Sequence, residues 1–153
     1  MQRFLPKRAQ ALAFLGAFIL LNVVGTAVQT QFNLGHLLAL GVDVPFSLRL
    51  TTTGHDIITM QPLFGSIFGL GFLIAMIVGH FIAALVKILP DVVYALAGFA
   101  AMAVSLFALK AAFQITAIGA AREWDGFLSL CIVGALAGYA FSITATRLAA
   151  NRS

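Results

Sequence analysis

PLFGSIFGLGFLIAMIVGHFIAALVKI, residues 62–88, runs from Pro62 to Val86 with no acidic or basic side chain other than His80. A helix rises about 1.5 Å per residue and the hydrocarbon core of a bilayer is about 30 Å thick, so an apolar run of this length reads as a membrane-spanning helix. Three further runs have the same character: AQALAFLGAFILLNVVGTAVQTQF at 9–32, then 91–113 and 126–148. The 153 residues are 61% hydrophobic and only 9% charged. A water-soluble domain carries about 25% charged residues, so that class is excluded. The expected fold is all-α: one transmembrane domain over 1–153, an integral membrane four-helix bundle with an interfacial helical segment in the link 33–61. The first run also has the basic start MQRFLPKR of a signal peptide. It is about twice the length of a signal h-region and ends in QTQFN without a small-x-small site, which favours an uncleaved helix.

The net charge of +4 is a matter of topology. Arg3, Lys7, Arg8, Lys87, Arg147 and Arg152 fall on one side of a four-helix arrangement. Arg49, Lys110 and Arg122 fall on the other, with Asp43, Asp56, Glu123 and Asp125. The excess of basic residues on the side of the termini predicts cytoplasmic N- and C-termini and gives no indication of nucleic-acid binding. Cys131 is the one cysteine, so there is neither a disulfide framework nor a CxxC pair.

The short turn ILPDV makes the second and third spans antiparallel neighbours, with Pro90 stopping one helix and Asp91 expected to cap the next. QITAIGAAREWD ends at Trp124, an expected interfacial anchor, and at Asp125, an expected cap. In the long link, NLGHLLALG predicts a short helix from Asn33 to Gly41. DVPFS predicts a second start, with Asp43 or Ser47 as cap and Pro45 in the first turn. From Ser47 to Met60 the pattern is amphipathic: Leu50, Ile57 and Ile58 share one face, while Arg49, Thr52, Asp56 and Thr59 follow on another. A helix lying on the membrane is expected. A strand over SLRLT is the alternative, but it would leave unpaired edges.

Between membrane helices, small residues mark close contacts. Gly71, Ala75 and Gly79 form such a stripe on the second span, and Gly65 with Gly69 a second one. Ala97, Ala101 and Ser105 offer a face on the third span, and Gly126, Gly134, Gly138, Ser142 and Thr146 on the fourth. These faces suit either the bundle interior or contact between chains. Phe64, Phe68 and Phe72 form a ridge expected to pack on lipid or a neighbour rather than on a cofactor. Asn22 and Ser105 fall at a similar depth, roughly 20 Å in, and His80 and Tyr139 at roughly 12 to 15 Å. Each pair is expected to form an interhelical hydrogen bond. The sharper alternative is a polar path or a proton-handling histidine.

Candidate chemistry lies in the outer link. Arg49, Thr52, His55, Asp56, Arg122 and Glu123 form a candidate partner or ligand surface, or a salt-bridge cap joining the two outer links. His36 and His55 with Asp56 or Asp43 would make a nitrogen and oxygen set for zinc, but their spacing matches no metal motif. His55 and Asp56 are sequence neighbours, which on a helix point about 100° apart, so neither orients the other as in a hydrolytic pair. No bis-histidine haem site can be built within the membrane. No catalytic residue, metal or cofactor is therefore expected.

The order QFNL, GVDVPFSLRL, HD, a Gly-rich second span, LPDVVYALAG and AREWDGF before a Gly-rich last span resembles small four-helix inner-membrane proteins of proteobacteria. That resemblance implies a bacterial inner membrane and no particular activity. The expected function is a non-enzymatic accessory, assembly or structural oligomerisation subunit. Its expected partners are the lipid bilayer, further copies of the chain or other membrane subunits. The alternative is a small homo-oligomeric channel or transporter with a polar path near His80 and Asn22. The absence of a titratable carboxylate or base at mid-membrane favours the former.

Overall fold

The structure, a computed structural model, describes residues 7–86, 89–113 and 118–150. Arg3, Lys87 and Arg152, which contribute to the expected orientation, lie outside the described residues. The described chain forms α1 (Lys7–Ala39), α2 (Phe46–Thr59), α3 (Gln61–Val86), α4 (Pro90–Phe113), a 3-10 turn (Gly119–Arg122) and α5 (Trp124–Ala150). Four of these, α1, α3, α4 and α5, are long and apolar enough to cross a membrane. Among the described residues there is no strand, so SLRLT is helical as part of α2.

The first helix is longer than its apolar stretch. Instead of ending at Phe32 and restarting at Asn33, α1 continues unbroken to Ala39. Asn33 and Gly35 are poor helix formers, but no proline intervenes, and Leu34 is buried while Asn33 lies against Gly119. The stop comes at Gly41, whose φ of +82° favours glycine. There Gly41 N–H donates to the Leu38 carbonyl at 3.0 Å and Val42 N–H to the Leu37 carbonyl at 3.1 Å, closing a Schellman cap. Thirty-three residues span about 50 Å, roughly 20 Å more than the hydrocarbon core.

Three expected caps are arranged differently. The residue that starts α2 is Pro45, which makes no side-chain cap bond. Its carbonyl accepts the Arg49 N–H in the first bond of the helix, and the cap position is held by neither Asp43 nor Ser47. Asp91 lies inside the first turn of α4, after Pro90, and its carboxylate turns to α5, where Ser142 Oγ donates to Oδ1 at 2.5 Å. α5 starts at Trp124, and Asp125 Oδ1 accepts the Gly126 N–H at 3.0 Å from within the first turn. Trp124 is exposed, as an interfacial anchor requires.

The spans pack in the order α3, α4, α5, α1, with α5 meeting both α4 and α1 most extensively and α1 touching α3 over a shorter stretch. At the α4–α5 crossing a Cβ on Gly98 would strike the Gly134 carbonyl, one on Gly134 the Gly98 carbonyl, and one on Gly138 the Tyr94 carbonyl. The α3 stripe lies on the α4 stripe: Gly71 faces Ser105, and Gly79 faces Ala97 and Tyr94, with Ala75 partly buried between. Gly65 and Gly69 face Asn22 and Phe18 of α1. The small residues thus serve contacts within one chain. Phe64, Phe68 and Phe72 are buried, and with Phe14 and Phe18 they make an aromatic plug between α1 and α3 rather than a lipid-facing ridge.

Gly138→Val therefore forces two backbones apart and is expected to destabilise the bundle by about 2–3 kcal/mol. Nothing lies within 4 Å of a Cβ on Gly16. Gly16→Ala should instead stabilise α1 by up to about 1 kcal/mol. Unfolding of both variants in a mixed-detergent titration checks the opposite signs.

Candidate functional site

Polar side chains gather at two places: beneath α2, and at the opposite end of the bundle near the termini. α2 buries none of its residues, and part of its polar side is bonded to α1. Gln31 of α1 links two of its members, accepting from Arg49 Nη1 at 3.2 Å and donating to Thr53 Oγ1 at 2.9 Å. One residue earlier, Thr30 Oγ1 donates to Asp56 Oδ2 at 2.8 Å, with the Thr26 carbonyl at 3.0 Å as a second acceptor. Thr52 is partly buried on the same helix. Thr30 and Gln31 of α1 are thus the platform on which α2 rests, with Arg49, Thr53 and Asp56 turned toward α1.

Of the residues expected to cap the two links, Glu123 makes a contact between them, and it does so with His36 rather than with Arg49. Glu123 Oε1 meets His36 Nε2 at 3.3 Å, tying the start of α5 to the tail of α1, and Arg122 is exposed beside it. An exposed pair of this kind contributes about 0–1 kcal/mol. His55 Nδ1 is 3.8 Å from Asp56 Oδ1, beyond hydrogen-bond reach, and the His55 side chain is exposed. Among the described residues no three His, Cys, Asp or Glu side chains converge on a metal position. His36, His55, Asp43 and Asp56 are not gathered together.

Within the spans, neither expected pair forms. Asn22 Nδ2 donates to the Phe18 carbonyl of its own helix at 2.8 Å, and its buried Oδ1 faces Gly65, without a hydrogen-bond partner. Ser105 lies against Gly71. Thr26 Oγ1, Gln29 Oε1 and Gln61 Nε2 are likewise buried and unpartnered. Phe18 faces Gly69 and Asn22 faces Gly65, and that antiparallel register puts Gln61 opposite Thr26. Asn22, Thr26, Gln29 and Thr30 recur at helical spacing inside the span 9–32, so this polar seam was readable in the sequence.

His80 bonds with Tyr94, its Nδ1 lying 3.2 Å from the hydroxyl oxygen. Tyr139 is 47% exposed and points away from the bundle. The signal that finds Tyr94 is the short turn itself: folding an antiparallel hairpin about Pro90 brings residues near 80 and near 94–97 together, as the Gly79–Ala97 contact shows. Two hollows meet at this pair. One, about 450 Å³, is lined by Phe14, Met76, His80, Phe81, Tyr94 and Phe141 among others. The second, about 330 Å³, shares His80, Tyr94 and Phe141 and adds Pro90, Ser142 and Thr146. No family model, no curated protein and no solved structure matches the chain.

Removing the Tyr94 hydroxyl leaves His80 Nδ1 without its partner. Tyr94→Phe is expected to lower stability by about 1 kcal/mol, and Tyr139→Phe to leave it unchanged, in detergent-titration unfolding. Asp56→Ala should release α2 and raise amide hydrogen exchange across Phe46–Thr59 relative to α5, whereas His55→Ala should not. Equal exchange in the two variants would mean that the Thr30 bond does not hold α2.

Proposed function

We propose that this small membrane protein is a non-enzymatic accessory or assembly subunit, seated in a bacterial inner membrane with both termini cytoplasmic and docking through α2. The observation that carries this reading is the way α2 is presented. Its Arg49, Thr53 and Asp56 are engaged by α1, so the surface left outward carries Phe46 at 78%, Leu50 at 67% and Ile58 at 77% exposure. Exposed apolar side chains grouped on one element mark an interaction surface rather than a solvated one. Beside them a hollow of about 490 Å³, lined by Gln31, Phe46, Arg49, Leu50 and Thr53, offers apolar walls with a guanidinium and an amide at its edge. That combination suits a protein side chain better than a lipid tail, because enriched Arg and aromatic residues around a cleft are typical of protein contacts.

The reading as a channel draws less support. Between Asn22 and His80 the α1–α3 boundary is filled by the buried rings of Phe68 and Phe72, with Phe14 and Phe18 against them. A polar path would have to cross that plug.

Phe46→Ser combined with Leu50→Ser leaves the α1–α2 hydrogen bonds in place. Native electrophoresis from mild detergent is expected to show wild-type chain in an assembly larger than one subunit. The double variant should run as a single chain with unchanged unfolding. An assembly of undiminished size and amount in the variant would sink the proposal.

A further inference from the structure

We propose that the crevice around His80 and Tyr94 binds a neutral lipophilic molecule through a single carbonyl or hydroxyl oxygen, with the rest of the molecule lying along α1 and α3. The crevice is at the end of the bundle away from α2 and is independent of the docking reading. It exists because the α1–α3 contact runs from Gly25 and Phe64 through Asn22 and Gly65 to Phe14 and Phe72, and beyond that last pair the helices leave the hollow of about 450 Å³. A volume of that order is what small-molecule sites occupy, and such sites are mostly apolar with a few convergent polar groups. Here the walls are Phe14, Leu73, Met76, Ile77 and Phe81, and the polar groups are the bonded pair His80 and Tyr94, with Gln10 also lining the hollow.

The hydrogen bond between these two fixes what they present. If the Tyr94 hydroxyl donates to Nδ1, the imidazole carries its proton on Nε2, leaving an outward N–H. If Nδ1–H donates to the tyrosine oxygen, the hydroxyl proton is free to point outward. In either tautomer the pair keeps one donor beyond its mutual bond. In hydrocarbon an unmatched donor is costly, so the group it favours is an oxygen acceptor. The two hollows share this pair, so the acceptor would sit where they meet. Among the described residues no Lys or Arg lines either hollow, so none of them offers a counter-charge to a phosphate or carboxylate headgroup there. Bulk acyl chains would fill the space but leave the donor unmatched. This distinguishes a site from a gap.

The test uses the full-length protein in nanodiscs, uniformly labelled with nitrogen-15 histidine, and three probes of equal length: methyl laurate, dodecane and laurate anion. Methyl laurate is expected to shift the His80 ring nitrogens saturably while leaving those of His36 and His55 in place. It should bind roughly tenfold more tightly than dodecane, the ratio given by one net hydrogen bond of about 1 to 1.5 kcal/mol. His80→Phe keeps the ring volume and should abolish the difference between ester and alkane in a competition assay. A His80 signal that does not saturate, or dodecane binding as tightly as the ester, reduces the crevice to a lipid-filled gap and overturns the proposal. Laurate anion binding more tightly than the ester would equally overturn the assignment of a neutral ligand. These comparisons on the unsubstituted chain stand even if His80→Phe fails to fold.

Discussion

Where α4 crosses α5, backbone touches backbone, and most of the molecule is arranged around that contact. Gly98, Gly134 and Gly138 remove every side chain that would hold the two helices apart. In a bilayer there is no solvent-driven force between helices, so the attraction available is dispersion at short range, and only glycine permits the range. The contact also fixes a rotation. With the Tyr94 carbonyl against Gly138, the Tyr94 ring lies edge-on to Phe141 at 5.0 Å, and its hydroxyl reaches His80 on α3. Asp91, one turn earlier, meets Ser142. The polar pair at the crevice is therefore set by a packing event on its far side.

The parts of this arrangement that sequence made legible are those governed by composition and short range. Four apolar runs, the Pro90 turn and the amphipathic period of residues 47–60 follow from hydropathy and local propensity alone. Which polar groups meet is a long-range matter. Depth alone pairs His80 with Tyr139, but depth says nothing about rotation, and Tyr139 faces outward on α5. The hairpin register would have singled out Tyr94, because a short turn leaves the two helices little freedom to slide. The length of α1 was hidden for a different reason. Beyond Phe32 the apolar run is interrupted by Asn33, Gly35 and His36, and hydropathy marks where hydrocarbon ends rather than where a helix does. Tertiary support from Glu123, Gly119 and α2 carries the helix on.

Contacts with α1 also settle which side of α2 is turned to the bundle. Arg49, Thr53 and Asp56 meet Gln31 and Thr30, while Phe46, Leu50 and Ile58 are left exposed. The aspartate next to His55 is thereby taken up in positioning α2, and the imidazole is left exposed.

The helix order in space, α3–α4–α5–α1, has a consequence for how the bundle comes together. α1 touches α3 sparingly and finds its main neighbour in α5, the most distant helix along the chain. That α1–α5 interface is thus without its final form until nearly all the other helices are in place. Contacts between sequence-remote elements carry the largest loop-closure entropy. The ring of helices is accordingly completed by the step that joins its two ends, and the hollow by the α1–α3 boundary takes its shape only then.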